Sequence, residues 1–274
     1  MGKETLKTGE LDATMVISDT MSSNRLPTEG EESELFDESP RFASRFPFIC
    51  KFAAGGVGVV YKARDMVFNR IVAVKTLNDQ FKDDEEANQA FLNESRLNAT
   101  LDHPSIVPVY ALGHTEDGRL QCVMKLINGT SLDRFIDEIR ERYDQRKITP
   151  VQEHHALISR LEYFLKICEA VEYCHSMKIV HGDIKPANIM LDSDNEAMLL
   201  DMGIAQQAGE ESLINGEVEG SPFYMSPEQI QGKTLTWSTD LYSLGATLYH
   251  MVTGCVPFYD KSIDQILEMH NNAP

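Results

Sequence analysis

The sequence lacks the features that mark secreted, disulfide-stapled and membrane-spanning chains. Its five cysteines fall in no paired or metal-like spacing, so we expect free thiols in a reducing compartment, the cytoplasm. No basic segment followed by an apolar one opens the chain, so no signal peptide is predicted. The longest stretch without a charge, residues 241–259, contains several polar residues and glycines. That composition favours a buried helix over a membrane span.

Positive charge is also scarce. Lys and Arg number 25 against 43 Asp and Glu, which gives a formal net charge of −18. This imbalance disfavours nucleic acids and anionic membranes as partners, while it permits a basic polypeptide substrate. Residues 1–40 carry ten acids against three bases and show no apolar period. Because such a composition cannot offset its own ordering entropy, we expect a disordered acidic arm over residues 1–44.

After this arm, the 274-residue chain changes from a strand-rich pattern to a helical one. Short β-branched and aromatic runs predict five strands, at residues 46–52, 57–63, 70–77, 105–113 and 119–127. Residues 83–100 have acids first and good helix formers after, which predicts a helix. Apolar residues at helical spacing predict another helix over 157–173, and Ser131 is a candidate N-cap for a third. A strand-rich part followed by a helical part indicates an α+β protein with two lobes.

The segment HGDIKPANIM, residues 181–190, places Asp183, Lys185 and Asn188 close together. A polar loop between two short strands is one interpretation of this segment. The sequence that follows, LDSDNEAMLLDMG, has apolar runs on both sides of a turn and predicts a β-hairpin. Antiparallel pairing would bring Asn188 and Asp201 to its open end, where their oxygens could share Mg²⁺. Asp183 and Lys185 stand at the same end, which favours a catalytic loop because a solvated hairpin end needs no such pattern.

A glycine-rich segment, AAGGVGVVYKARD, contains Ala53, Gly55 and Gly58 at the offsets of G-x-G-x-x-G, with alanine in the first place. Glycines between two strands let backbone N–H groups approach a phosphate closely. A plain hairpin with a flexible turn would explain the same residues. A dinucleotide-binding fold needs a helix directly after the glycines, whereas VVYKARD predicts a strand.

The strand segment VAVK places Lys75 on the same face as Ala73, because side chains in a strand alternate with a period of two. A small residue beside a cation suits a flat base packed near a phosphate chain. A lysine facing solvent at a strand end is the alternative. Glu94, in the predicted helix, could pair with Lys75 or could be an ordinary surface acid.

Together these segments resemble the eukaryotic-type Ser/Thr protein kinase family, in its bacterial branch, over about residues 46–274. The resemblance implies an N-lobe over 45–127, with a small antiparallel sheet and one helix, and a mainly helical C-lobe over 128–274. Because the family continues with further helices, we expect this C-lobe to be incomplete. The implied reaction transfers the γ-phosphate of Mg-ATP to a Ser or Thr hydroxyl of a protein.

The resemblance also implies how ATP would be held. Lys75 would bind the α- and β-phosphates, and Glu94 would orient it. Met124 would stand at the gate of the adenine pocket, and the backbone from Lys125 to Ile127 would bind adenine as the hinge between the lobes. The residues that would contact the nucleotide are Ala53, Gly55, Gly56, Gly58, Val60, Ala73, Lys75, Met124, Lys125, Ile127 and Ser131.

For the transfer itself, the resemblance implies that Asp183 accepts the substrate hydroxyl proton and that Lys185 steadies the γ-phosphate. Asn188 and Asp201 would bind Mg²⁺. A lysine two residues after the catalytic aspartate is the Ser/Thr kinase form of this loop. Asp240, near the start of the uncharged helix, would anchor the backbone of the catalytic loop.

Three positions depart from the family pattern. Ala53 replaces the first glycine of the loop, Gly182 replaces an arginine that would clamp a phosphorylated activation loop, and Asn98 stands where an aliphatic residue often packs. These departures, with the expected missing helices, motivate a second hypothesis: a catalytically silent module that binds nucleotide or a partner. The first hypothesis is an active Ser/Thr kinase, since all the positions that would do chemistry are present.

Overall fold

In the computed structural model, the strand-rich and helical parts predicted from the sequence form two lobes. The structure describes residues 40–54, 58–145, 147, 150–194, 196–200, 206–207 and 221–272. The predicted disorder of residues 1–39 therefore lies outside the described residues.

The N-lobe is built on one antiparallel sheet. In chain order its elements are helix α1 (Pro40–Arg45), strands β1 (Phe48–Ala54), β2 (Gly58–Asp65) and β3 (Arg70–Leu77), helix α2 (Glu85–Ala99), and strands β4 (Val109–His114) and β5 (Leu120–Lys125). The strands lie in the order β1-β2-β3-β5-β4, and every neighbouring pair is antiparallel. All five predicted strands and the predicted helix are present, with β3 at its predicted bounds.

Each face of this sheet has its own apolar cover, because side chains alternate along β3. Val72 and Val74 pack with Phe42 and Phe46 on one face. Leu77 packs with Phe91 of α2 on the other. Ala73 and Lys75 share the face of α2 by the same alternation, as the sequence predicts.

Helix α2 has the termini that its sequence encodes. Asp84 is the N-cap, and its carboxylate accepts a hydrogen bond from the Ala87 amide at 3.0 Å. Glu85 and Glu86 occupy the first turn and Arg96 the last, which complements the helix dipole at both ends. The helix that carries Glu94 is thereby stabilised at both ends.

One boundary predicted from the sequence is wrong. The arm predicted to be disordered through residue 44 overlaps α1, in which Phe42 is buried; Phe46, just after the helix, is buried too. A Cβ on Gly113 would lie 2.6 Å from the Phe42 ring, so glycine permits the ring to pack this closely against β4. The six-residue helix is too short to show an apolar period in the sequence, and the acidic composition before it hid the transition.

The C-lobe is mainly helical, with short strands that shape its upper edge. In chain order its elements are strand β6 (Gly129–Ser131), helices α3 (Leu132–Asp144) and α4 (Pro150–Ser176), strands β7 (Ile179–Val180), β8 (Ile189–Asp192), β9 (Ala197–Leu199) and β10 (Gln206–Gln207), and helices α5 (Pro227–Ile230), α6 (Trp237–Thr253) and α7 (Ile263–Asn272). Strands β6, β8 and β9 form one small sheet, and β10 pairs with β7. Its main core joins α3, α4, α6 and the β8–β9 hairpin through the buried residues Leu132, Ile136, Tyr163, Ile167, Val171, Ile184, Ile189, Leu191, Ala197, Leu199, Leu244 and Met251.

The predicted C-lobe helices are present with shifted ends. Helix α4 begins at Pro150, seven residues before its predicted start. Ser131 is the N-cap of α3, as predicted, although its side chain makes no capping hydrogen bond. Residues 241–253 of the uncharged stretch belong to α6, and Gly254 caps this helix in the left-handed conformation with φ +72°. None of the helices in the described part of the chain combines the length and apolar character that a membrane span requires.

A substitution at Gly129 tests how closely the strands of the small C-lobe sheet approach each other. A Cβ at this position would lie 1.8 Å from the carbonyl oxygen of Leu191 in the paired strand β8. We therefore expect Gly129→Ala to lower the free energy of unfolding by about 3 kcal/mol, the upper range for overpacking. Gly245→Ala in α6 is the matched control, because nothing lies within 4 Å of its Cβ position. Equal denaturation midpoints for the two variants would contradict the close approach.

The ion pair of Arg45 with Asp65, next to α1, predicts how the stability of the fold depends on pH. Arg45 Nε and Nη2 donate to the two carboxylate oxygens of buried Asp65, each at 3.1 Å. This guanidinium, more than the backbone amides of Val67 and Phe68, holds the pKa of Asp65 below its usual range despite burial. Because the folded pKa lies below the unfolded value of about 3.9, the stabilisation is complete above that value and is lost as the pH falls through the folded pKa.

We expect the melting temperature of the wild type to fall more steeply between about pH 5 and about pH 2 than that of Asp65→Asn. Arg45→Met removes the largest cause of the lowered pKa, so it should flatten most of the pH dependence. Thermal melts at a series of pH values measure both variants. Parallel curves for all three proteins would show that this ion pair does not contribute.

Candidate active site

The loop between β7 and β8 brings together two predicted catalytic residues, Asp183 and Lys185, and the predicted metal ligand Asn188. Lys185 Nζ donates to Asp183 Oδ2 at 2.5 Å, and Asn188 Nδ2 donates to the same oxygen at 2.9 Å. Asn188 Nδ2 also lies 2.9 Å from the Asp183 carbonyl oxygen. These bonds use the amide nitrogen of Asn188, so its amide oxygen keeps its capacity to bind a cation. A carboxylate, an ammonium group and an amide therefore converge within one short loop.

The hairpin predicted after this loop is present. Ile189 pairs with Leu199 across β8 and β9, and the Leu200 amide donates to the Asn188 carbonyl at 2.8 Å. Asp201 follows Leu200 directly but lies outside the described residues. Among the residues that are described, no group of three or more His, Cys, Asp or Glu side chains is placed to hold a metal. The magnesium site formed by Asn188 and Asp201 stays a prediction.

Asp240 of α6 holds the start of the catalytic loop, as the sequence predicts. Its Oδ2 accepts the His181 amide at 2.9 Å and its Oδ1 accepts the Gly182 amide at 2.8 Å. His175 Nε2, at the end of α4, lies 2.7 Å from Oδ2. The carboxylate is fully buried, where hydrogen bonds to a charged acceptor are strong and an unpaired amide is costly. The loop that carries Asp183 is thus fixed to the centre of the C-lobe.

On the N-lobe side, Lys75 and Glu94 form the predicted ion pair. Lys75 Nζ lies 2.6 Å from Glu94 Oε1, and the two side chains are 19% and 16% exposed. The pair joins β3 to α2, so the position of the ammonium group depends on the position of the helix. Cys122 lies opposite Lys75 on β5, where burial raises the pKa of its thiol to about 11.

The glycine-rich segment connects two paired strands. Ala53 pairs with Val60, and Val60 pairs with Lys75 in the next strand. A Cβ on Gly58 would lie 2.9 Å from the Thr76 carbonyl oxygen, so glycine permits this close approach of β2 to β3. A strand follows the glycines, which excludes the dinucleotide-binding alternative. Gly55 and Gly56 lie outside the described residues, and the phosphate contacts of this segment stay a prediction.

The predicted hinge lies on the β8–β9 hairpin. Ile127 is buried and packs with Val107 and Met198, and Met124 lies against the same cluster. Met124 also stands opposite Ala73, at the cleft end of β3 and β5. The Lys125 amide donates to the Pro108 carbonyl at 3.1 Å, and Ser131 pairs with Met190 of β8. The structure thus brings the predicted adenine-binding residues together, while their contacts with a nucleotide stay a prediction.

This arrangement has counterparts among known proteins. The protein family model described as "Protein kinase domain" matches residues 49–273. The chain belongs to the protein kinase domain family. The two-lobed kinase fold predicted from the sequence is thereby confirmed, with its antiparallel N-lobe sheet and helical C-lobe.

Similar kinases occur in several bacteria. Serine/threonine-protein kinase PknD of Chlamydia pneumoniae is 33% identical over 240 residues, which are 81% of this chain and 25% of that protein. The probable serine/threonine-protein kinase CPE1738 of Clostridium perfringens is 36% identical over 220 residues, 80% of this chain and 30% of that protein. Serine/threonine-protein kinase PrkC of Bacillus subtilis is 31% identical over 234 residues, 85% and 34% respectively. The chain spans about a quarter to a third of the length of these curated relatives.

The structure shows the surroundings of two residues that depart from the kinase family pattern. Gly182 has φ +79°, a left-handed conformation that glycine adopts without strain. Asn98 is buried in α2, and its Oδ1 atom has no hydrogen-bond partner within the described ranges. Neither departure alters Asp183, Lys185 or Asn188.

Sequence reasoning missed one contact of the catalytic loop. Gln229 Nε2 donates to the Gly182 carbonyl at 2.7 Å. Its Oε1 accepts the Ser226 amide at 3.0 Å, and Ser226 Oγ accepts the Gln229 amide at 3.3 Å, which completes a capping box on α5. The S-x-x-Q pattern could have predicted the helix start. The contact with Gly182, 47 residues away, has no local signal.

Proposed function

We propose that this kinase domain is an active serine/threonine protein kinase, which transfers the γ-phosphate of ATP to a Ser or Thr hydroxyl of a protein. The observation that carries the proposal is the geometry of the catalytic loop, in which Asp183 Oδ2 accepts hydrogen bonds from both Lys185 and Asn188. Lys185 is the second residue after Asp183, which is the Ser/Thr form of this loop. The similar bacterial proteins named as serine/threonine-protein kinases support the same activity.

The residues of the loop suit the steps of phosphoryl transfer, in which the protein mainly positions groups and neutralises charge. Asp183 offers a carboxylate that can orient the substrate hydroxyl and accept its proton. Lys185 places an ammonium group beside that carboxylate, where it can stabilise negative charge on the transferred phosphoryl group. Asp240 keeps both side chains in place through the His181 and Gly182 amides.

ATP would lie between the lobes. Glu94 holds the Lys75 ammonium group at 2.6 Å, so this cation is set to bind the α- and β-phosphates. Met124 and the backbone from Lys125 to Ile127 would receive adenine. The ion pair is only partly exposed, and a partly buried charge interacts more strongly with a phosphate than one in open water.

The donor atoms also suit Mg²⁺. This cation prefers oxygen ligands and commonly takes one or two protein carboxylates together with phosphate oxygens. Asn188 would supply its amide oxygen and Asp201 its carboxylate. Magnesium bound there would neutralise charge on the phosphates of ATP. The remaining chemistry belongs to Asp183 and Lys185.

The silent-module hypothesis rests on the departures from the family pattern and on the expected missing helices, not on a lost catalytic position. Lys75, Glu94, Asp183, Lys185 and Asn188 are all present and in contact as the active hypothesis demands. We therefore favour the active kinase. The net charge of −18 suits basic polypeptide substrates rather than nucleic acids, and the five free cysteines suit a cytoplasmic location.

Transfer of labelled phosphate from ATP to a generic basic protein, in the presence of magnesium, tests this function. The wild type should label the substrate, and Asp183→Asn should not. Asp194→Asn is the matched control, because Asp194 is an exposed aspartate in the turn of the β8–β9 hairpin that follows the catalytic loop. A wild type that labels no more substrate than Asp183→Asn would overturn the proposal.

A further inference from the structure

Trp237 is the single tryptophan of the chain and is partly exposed on the C-lobe. It is the first residue of α6 and precedes Asp240 by three positions. Residues three apart on a helix are neighbours, so the indole and the carboxylate lie on the same side of α6. This first turn is itself fixed, because Thr239 Oγ1 accepts the Thr236 amide at 3.1 Å and donates to Glu228 Oε1 of α5 at 2.9 Å. The place of the indole therefore follows from the start of α6.

His175, in the last turn of α4, contacts both of these side chains. Its Nε2 lies 2.7 Å from Asp240 Oδ2, and its ring centroid lies 4.7 Å from that of Trp237, with 44° between the ring planes. Both oxygens of Asp240 already accept backbone amides. The carboxylate is therefore the acceptor in this contact as well, and His175 Nε2 is the donor. The imidazole thus joins the indole to the carboxylate that holds the catalytic loop.

The three side chains differ in their access to water. Asp240 is fully buried, the His175 side chain is 18% exposed and Trp237 is 36% exposed. The bond from His175 to Asp240 therefore lies at the edge of the buried region, where water can compete for it. A hydrogen bond to a charged acceptor is stronger in a dry environment than in water. Because the indole packs against the imidazole, it limits the access of water to this bond.

We propose that Trp237 is a positioning residue for the catalytic loop. It acts through His175: by covering the imidazole, it keeps water from the bond to Asp240, which in turn holds the His181 and Gly182 amides. The alternatives, an ordinary surface residue or an anchor for a partner protein, predict no change at the loop when the indole is removed. The expected effect on phosphate transfer rests on the proposed kinase function. The effect on the loop itself does not.

Hydrogen exchange of the protein without any substrate tests the effect on the loop. Trp237→Ala should raise exchange of the His181 and Gly182 amides about fivefold, the size expected when one hydrogen bond is weakened. Trp237→Phe keeps a ring beside the imidazole and should stay close to the wild type. Tyr249→Ala is the matched control, since it truncates another exposed aromatic residue of α6. Unchanged exchange at the two amides in Trp237→Ala, or an equal rise throughout the C-lobe, would overturn the proposal.

A double-mutant cycle tests whether Trp237 acts through His175. His175→Ala removes the side chain that the indole covers, so adding Trp237→Ala to it should raise the exchange of the loop amides no further. If the two single rises multiply in the double variant, Trp237 acts through other contacts and the proposal is wrong. Trp237→Leu is shorter than the indole but keeps apolar bulk, so it takes the place of Trp237→Ala in the cycle if the alanine variant does not fold.

Fluorescence tests the contact between the two rings. Because the chain has one tryptophan, its emission reports on Trp237 alone. His175→Ala uncovers the indole and should shift the emission maximum to longer wavelength, as exposure of tryptophan to water does. His103→Ala is the matched control, because it removes an imidazole that stacks on Tyr173 instead. An emission maximum that stays in place in His175→Ala would contradict the proposed cover.

Steady-state kinetics with ATP and a basic serine-containing peptide tests the consequence for transfer. Trp237→Ala should lower kcat about fivefold, because the loop that carries Asp183 is held less firmly, while the KM for ATP stays close to wild type. Trp237→Phe should restore kcat. A raised KM for ATP with an unchanged kcat would contradict positioning of this loop. A wild type that transfers no phosphate would refute the kinase function instead, and hydrogen exchange and fluorescence would still decide the role of Trp237.

Discussion

Asp183→Asn is expected to lower phosphotransfer about 10³-fold, within the range for loss of a general base, while the affinity for Mg-ATP stays close to that of the wild type. The amide cannot accept the substrate proton. It does retain an oxygen that can accept a hydrogen bond from Lys185 or Asn188, which contact Asp183 Oδ2 at 2.5 and 2.9 Å. The loop should therefore keep its shape, and the loss should fall on kcat alone.

Single-turnover assays with labelled ATP give the rate, and calorimetric titration gives the affinity for Mg-ATP. Asp194→Asn, in the exposed turn of the β8–β9 hairpin, should leave both quantities unchanged. A parallel fall of affinity and turnover in Asp183→Asn would assign Asp183 to nucleotide binding. Our assignment of the substrate base would then be wrong.

Asp240→Asn is expected to disable the site from a distance. Both carboxylate oxygens accept backbone amides, from His181 and Gly182, in a fully buried position. An asparagine turns an NH₂ group toward one of these amides, and a buried donor without an acceptor costs about 1–3 kcal/mol. Because the displaced amides belong to the catalytic loop, we expect turnover to fall at least about 100-fold together with a stability loss of this size.

Asp264→Asn is the matched control for this variant, because Asp264 also lies in the first turn of a C-lobe helix but is exposed. Chemical denaturation and the labelled-ATP assay should show it close to wild type. Hydrogen exchange should show faster exchange at His181 and Gly182 in Asp240→Asn only. Unchanged exchange at these two amides would show that the loop does not depend on Asp240.

Local patterns predict much of this fold. β3 has its predicted bounds at Arg70–Leu77, because β-branched residues and a flanking turn define it. Helix α2 lies within its predicted range because Asp84 and the acids after it define the start. Helix α1 could not be found in this way, since its six residues show no period and its support is long-range: the packing of Phe42 and Phe46 on the sheet and the ion pair of Arg45 with Asp65.

In the candidate site, too, some contacts follow from the local sequence and others depend on long-range packing. Asp183, Lys185 and Asn188 lie in one short segment, so their convergence follows from the local sequence. The sequence left the pairing of Lys75 with Glu94, 19 positions apart, as one of two alternatives, and only the resemblance to the kinase family favoured it. The bond between His175 and Asp240 spans 65 residues and depends on how α6 packs against α4. No periodicity in the sequence encodes such a contact.

Helix α1 has a practical consequence for dissecting this protein. The family match begins at residue 49, yet the side chains that seal one face of the sheet, Phe42 and Phe46, and the partner of Asp65, Arg45, all precede it. A deletion series guided by the match would remove two buried phenylalanines, worth about 3–6 kcal/mol together by burial alone, and would leave Asp65 without Arg45. A fragment that keeps this apolar cover and the partner of Asp65 within a complete α1 therefore starts at or before Pro40, and truncations beyond it would report on a damaged N-lobe.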